Sequence, residues 1–99
     1  MRLTLHDREQ IKAAAAALAG PQARVLLFGS RTRDGARGGD IDLLVDCPQP
    51  VARPVWLAAR LEAELMFRLG ERRIDVLLTA PNLPEHGIHR VARAEGQAL

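Results

Sequence analysis

Residues 24–45 read RVLLFGSRTRDGARGGDIDLLV, two apolar runs separated by a polar, glycine-rich stretch. The first run, Arg24-Val25-Leu26-Leu27-Phe28, stands between Gly20-Pro21 and Gly29, and so short a run suits a buried strand better than a helix. The second, Asp40-Ile41-Asp42-Leu43-Leu44-Val45, is a strand ended by Cys47-Pro48-Gln49-Pro50, whose prolines cannot serve inside a sheet. Gly29 to Gly39 is too polar for a core element and reads as a loop against which a ligand can lie, its first residues able to make one helical turn. Residues two apart in a strand share a face, so Asp40 and Asp42 project together while Ile41, Leu43 and Val45 enter the opposite side.

Working outward, Thr4 and Asp7 have the spacing of a capping box, and Ile11, Ala14, Ala15 and Leu18 repeat at helical intervals, which predicts a helix over 5–19. Leu57, Leu61, Leu65 and Leu69 fall on one face of a second helix from Trp56 to Leu69, with Gly70 placed to cap it. Arg73-Ile74-Asp75-Val76-Leu77-Leu78 is a third strand, and Asn82 with Glu85 has capping-box spacing before a last helix over 83–95. The order helix, strand, loop, strand, helix, strand, helix predicts an α/β fold, a small mixed sheet of three strands packed by helices.

A chain of 99 residues has room for one core, so residues 1–99 are expected to form a single domain, folding alone or as a small homo-oligomer. No apolar run approaches the roughly 18 residues of a membrane span, and the first residues lack a signal-peptide core. A lone cysteine, Cys47, agrees with a reducing compartment. The cytoplasm is therefore the expected location, with no membrane contact. Thirteen of the 14 basic residues are Arg, which forks well onto phosphate. The cations are spread along the chain, however, and with Phe28, Trp56 and Phe67 as the only aromatics there is little to stack bases on. Nucleic acid is thus not a favoured partner.

The two carboxylates of Asp40 and Asp42, roughly 6 to 7 Å apart along a strand, repel each other unless a cation lies between them, and that span can bracket a metal pair about 3.5 to 4 Å apart. Oxygen-only ligands select Mg²⁺ or Mn²⁺, and Mg²⁺ completes its shell with phosphate oxygens and water. The phosphate side is provided upstream by Gly29 and Ser30, where free N–H groups at the start of a helical turn favour anions. Arg31, Arg33 and Arg37 give that loop an electropositive rim. Asp75, amid Ile74, Val76, Leu77 and Leu78, is costly in a buried strand unless paired or metal-bound, so it is expected to share the acidic face.

Gly29-Ser30, then nine residues, then Asp40-Ile41-Asp42 with a third Asp on a later strand resembles the nucleotidyltransferase superfamily that includes DNA polymerase β and kanamycin nucleotidyltransferase. In its short length the chain looks like the stand-alone minimal nucleotidyltransferases, the MntA-like antitoxins encoded beside HEPN-domain toxins. The resemblance implies a polymerase-β-like core in which Gly29, Ser30 and Arg31 bind ATP. It further implies that Asp40, Asp42 and Asp75 are catalytic and hold two Mg²⁺ ions, Asp75 also helping to deprotonate the acceptor hydroxyl. The implied activity moves AMP from ATP to a hydroxyl of a partner protein, a HEPN toxin. Two other functions fit the same fold: an antitoxin that neutralises its partner by occlusion alone, and a transferase acting on a small molecule or nucleic acid. For the latter the chain leaves little room for a dedicated acceptor pocket.

The remaining features have plainer readings. His86 and His89 lie three apart on the last predicted helix, but without a third ligand nearby they read as surface or partner-facing side chains. Cys47 reads as a small half-buried residue. The leucine stripe with Trp56, Met66 and Phe67 reads as core whose width leaves apolar surface for a partner. An open metal site beside that apolar helix would suit a docking protein that brings its own nucleophile.

Overall fold

The computed structural model describes residues 3–29, 40–70 and 72–99. Helix α1 runs over Leu5–Ala19, strand β1 over Arg24–Phe28, β2 over Ile41–Asp46, helix α2 over Pro54–Leu69, β3 over Ile74–Thr79, helix α3 over Gly87–Glu95 and β4 over Gln97–Ala98. The strands form one sheet in the order β3-β2-β1-β4. Strand β1 is antiparallel to β2 and to β4, whereas β2 and β3 are parallel. A parallel pair needs a long crossover, and α2 is that crossover.

The capping box at the start of α1 forms as the sequence predicts: Asp7 N–H donates to Thr4 Oγ1 at 3.0 Å, and Thr4 N–H donates to the Asp7 carboxylate at 3.4 Å. Gly70 ends α2 at φ +88°, a conformation that favours glycine, and its N–H bonds the Met66 carbonyl. Strand period 2 then sorts the side chains. Ile41, Leu43 and Val45 of β2, Ile74, Val76 and Leu78 of β3, and Val25 and Leu27 of β1 pack against Ile11, Ala14 and Ala15 of α1 and Leu57, Leu61 and Leu65 of α2. Each fully buried leucine here stabilises the fold by about 2–3 kcal/mol. Helix α2 also crosses the exposed edge of β3, where Glu62 Oε2 accepts from Val76 N–H at 2.9 Å.

The opposite face of the sheet carries three rows, read from the strand register: Phe28, Asp42 and Asp75; Leu26, Leu44 and Leu77; Arg24, Asp46 and Thr79. Helix α3 covers its far half. Leu44 is fully buried although it points away from α1 and α2, and Ala92 of α3 is fully buried with it. At the far row Arg93 of α3 pairs with Asp46 at 3.3 Å, and Thr79 donates its hydroxyl to the same carboxylate at 2.7 Å.

Several expectations need correction. The last helix begins at Gly87, not at residue 83. Asn82 does not cap it, because its amide brackets Val51 instead, accepting from Val51 N–H at 2.9 Å and donating to Val51 O at 2.8 Å. Pro84 also holds Leu83 out of the helical region. The sheet has four strands rather than three, since Gln97–Ala98 adds to β1. Cys47 is fully rather than half buried, at 3% exposure, and burial together with the Asp46 charge pushes its thiol pKa upward. Finally, the apolar outer side of α2 lies behind the sheet and not beside the acidic face; α2 borders the acids only through its charged flank at Glu62, and α3 borders them through Ile88.

Candidate active site

The parallel register sets Asp42 of β2 directly beside Asp75 of β3. Both carboxylates therefore leave the same face at the end that α3 does not cover. Asp42 titrates above its ordinary value of 3.8: burial disfavours its charge, the neighbouring charges of Asp75 and Asp40 add repulsion, and a hydrogen bond with Asp75 favours the protonated form, against a smaller opposing effect of Arg73. Arg73, just before β3, reaches Asp75 with Nε to Oδ2 at 3.6 Å. This pair is exposed, so it neutralises Asp75 only weakly.

Gly29, immediately after β1, underlies Asp42. A Cβ there would collide with Asp42 Oδ2 and come within 3.3 Å of its Cγ, and the backbone stands at φ +78°. A glycine is thus required both for the turn and for the close approach of the carboxylate.

Asp42 and Asp75 form the floor of an open cleft of about 500 Å³ whose walls are Phe28, Leu77, Ile88 and the side of Glu62, with Arg73 at the rim. A second hollow of about 380 Å³ lies at the other end of the sheet between Gln22, Arg24, Asp46 and Pro48. Its single carboxylate is already engaged by Thr79 and Arg93, so the acid cleft is the better reaction site.

Of the residues the sequence singled out, Asp42 and Asp75 are brought together and Gly29 lies against them. Asp40 sits one residue before β2 and is exposed, close enough for its charge to act on Asp42. Ser30, Arg31, Arg33 and Arg37 lie outside the described residues. Among the described residues no three His, Cys, Asp or Glu side chains stand close enough together to hold a metal ion unaided. His86 and His89 act on each other at the start of α3, where His86 N–H donates to His89 Nδ1 at 3.0 Å. Sequence reading missed Arg73, Glu62 and Ile88 as lining residues. Arg73 had a local signal, lying two positions before Asp75, whereas Glu62 and Ile88 reach the cleft only through tertiary packing.

A mixed sheet with two helices on one face and a third over part of the other, a glycine turn under a carboxylate, and a second in-register carboxylate beside it is the arrangement of a nucleotidyl-transferring domain. The nucleotidyltransferase domain family model matches residues 8–95. This chain belongs to that family, and its fold is a polymerase-β-like nucleotidyltransferase core. No curated protein and no solved structure matches the chain.

Proposed function

We propose that this domain transfers AMP from ATP, with Mg²⁺, to a hydroxyl of a separate protein, and that it serves as the antitoxin of a HEPN toxin. The observation that carries the reading is the in-register Asp42 and Asp75 pair at the floor of an open cleft. The donor set fits Mg²⁺: two oxygen ligands that repel each other in its absence, with the rest of the shell left to phosphate and water. When bound, the metal supplies charge neutralisation at the phosphates and a more acidic acceptor hydroxyl.

The chain's own residues do the rest. Asp42, pressed against Gly29 and the more constrained of the pair, fixes the nucleotide end of the site. Asp75 is about half exposed and accepts the proton of the incoming hydroxyl. The hydroxyl oxygen then bonds to the α-phosphorus as the bond to the β-phosphate oxygen breaks, and pyrophosphate leaves.

A protein acceptor is supported by the openness of the cleft among the described residues and by Ile88 on its α3 side, 57% exposed, an apolar border suited to a docking protein. The chain contains no Tyr and so cannot modify itself at that side chain. Incubation with labelled ATP, Mg²⁺ and the product of the adjacent gene is expected to place AMP on that product. Label confined to this chain, to RNA or to an added aminoglycoside refutes the protein acceptor, and a tight complex without label favours neutralisation by occlusion.

A further inference from the structure

Helix α2 has two apolar sides. Leu57, Leu61 and Leu65 are buried against the sheet. Arg60, Glu64 and Arg68 form an ion-paired belt on the flank nearer α1, Arg68 also reaching Gln10. Glu62 holds the other flank at β3. The side turned away from the core then carries no charge at all: Trp56, Ala59, Ala63, Met66 and Phe67 are exposed there, with Phe67 at 86% and Trp56 at 53%. A surface helix ordinarily turns its polar residues outward, so this stripe calls for a cover.

We infer that the cover is a second copy of this chain, its α2 packed antiparallel on the first. The spacing of Trp56, Ala59, Ala63 and Met66 is three, four and three residues, a heptad-like seam that reads the same in both directions. A two-fold interface requires such self-complementarity, because each position must meet its mirror position on the other copy. Centred on residue 61, the arrangement stacks Ala59 on the partner copy's Ala63, allowing the helices to approach to about 8 Å. Trp56 then meets Met66 and Phe67 of the other copy at both ends.

Area and charge agree with this occupant. The exposed parts of Val55, Trp56, Met66 and Phe67, with the two alanines, offer on the order of 500–600 Å² per copy, so a pair buries about 1,000–1,200 Å², at the lower bound of specific interfaces. Arg53, stacked over Trp56 at 5.8 Å, caps α2 without a side-chain bond, and the first turn holds no acid, a poor match to the positive end of its own helix dipole. Antiparallel packing brings Arg53 beside the other copy's helix C-terminus, where a cation is stabilising. Helix α2, about 10 Å thick with its side chains, lies between the stripe and the sheet, so the paired stripes do not cover either acid cleft.

Sedimentation equilibrium across the micromolar range is expected to give twice the 10.8 kDa chain mass, and Ala63→Glu and Phe67→Glu are each expected to give a folded monomer whose melting temperature, unlike that of the wild type, does not vary with protein concentration. Both positions are exposed, so loss of folding is not anticipated, and circular dichroism verifies it. To test direction, Ala59→Cys and Ala63→Cys variants are oxidised separately and mixed; crosslinking chiefly in the mixture supports the antiparallel register. A monomeric wild-type protein, a dimer that survives Phe67→Glu, or crosslinks that form best within each single variant overturns the inference. A stripe that instead binds the product of the adjacent gene, shown by loss of that complex in Phe67→Glu while the wild type alone is monomeric, overturns it as well.

Discussion

Replacing Gly29 with alanine separates the cost of backbone conformation from the cost of displacing Asp42. Gly29 stands at φ +78°, where a residue with a Cβ loses about 1–2 kcal/mol. At about 4–8 °C per kcal/mol for a domain of this size, that lowers the melting temperature by roughly 4–15 °C. Gly20 provides the control, because it also has positive φ, +106°, yet a Cβ there meets nothing within 4 Å. Gly20→Ala should therefore lose a similar amount of stability and retain the site. In Gly29→Ala the new methyl overlaps Asp42 Oδ2, the carboxylate must move by about 1 Å, and a misplacement of that size costs on the order of 100-fold in rate. Thermal denaturation gives the first quantity; calorimetric Mg²⁺-dependent nucleotide binding and label transfer, measured well below both melting temperatures, give the second. Equal function in the two variants would refute the role of Gly29 as the seat of the Asp42 carboxylate.

Three further outcomes are expected. Asp42→Asn should weaken Mg²⁺-nucleotide binding and transfer together, each by about 100-fold or more, whereas Asp75→Asn should mainly slow transfer; equal loss of affinity in calorimetry would make Asp75 a plain metal ligand. In the metal-free protein, Asp42 binds its proton more tightly folded than unfolded, so its charge opposes folding at neutral pH and the opposition fades as pH falls through the raised folded pKa toward 3.8. Asp42→Asn should then melt above wild type near neutrality, with the gap closing in acid; a lower melting temperature at pH 7 contradicts the repulsion. Asp7 behaves oppositely: burial works against its charge, but Arg72 at 3.1 Å and the Thr4 hydrogen bonds hold its pKa below 3.8. Its contribution is present above 3.8 and is lost as pH falls through the depressed folded value, so Asp7→Asn should cost about 1–2 kcal/mol near neutrality and little in strongly acidic urea titrations.

Features set by neighbours in sequence were legible, and those set by distant partners were not. The Thr4 and Asp7 capping box involves only residues three apart and formed as read. Asn82 and Glu85 have the same spacing, yet the Asn82 amide is held more strongly by both backbone groups of Val51, 31 residues away. The alternation in β2 identified which side chains enter the core, and the expense of a lone Asp among apolar neighbours placed Asp75 on the acidic face. That Asp75 sits level with Asp42, and that Asp40 falls just ahead of the strand, depends on the register of a parallel pair joined through α2, for which no local signal exists. Strand β4 has the same origin: two residues pair with β1 only because α3 delivers them there, with Leu99 N–H bonding the Val25 carbonyl at 3.0 Å.

The late start of α3 has a consequence for access to the acids. This helix runs from Ile88, at the wall of the acid cleft, to Arg93 at Asp46 and ends at Gly96, where an added Cβ would come within 3.1 Å of the Leu26 Cβ. It therefore covers the sheet from the middle row outward. Had it begun at residue 83, four more residues at 1.5 Å each would have extended it about 6 Å toward Asp42 and Asp75. Instead the bond between Asn82 and Val51 draws the chain toward the α2 side, where Leu83 and Pro84 line a hollow with Pro54, Ala58 and Leu78. Helix then starts only at Gly87, and among the described residues nothing in α3 overlies the two carboxylates. The same asparagine that defeated the sequence reading of the helix start thus keeps α3 off the acidic end of the sheet.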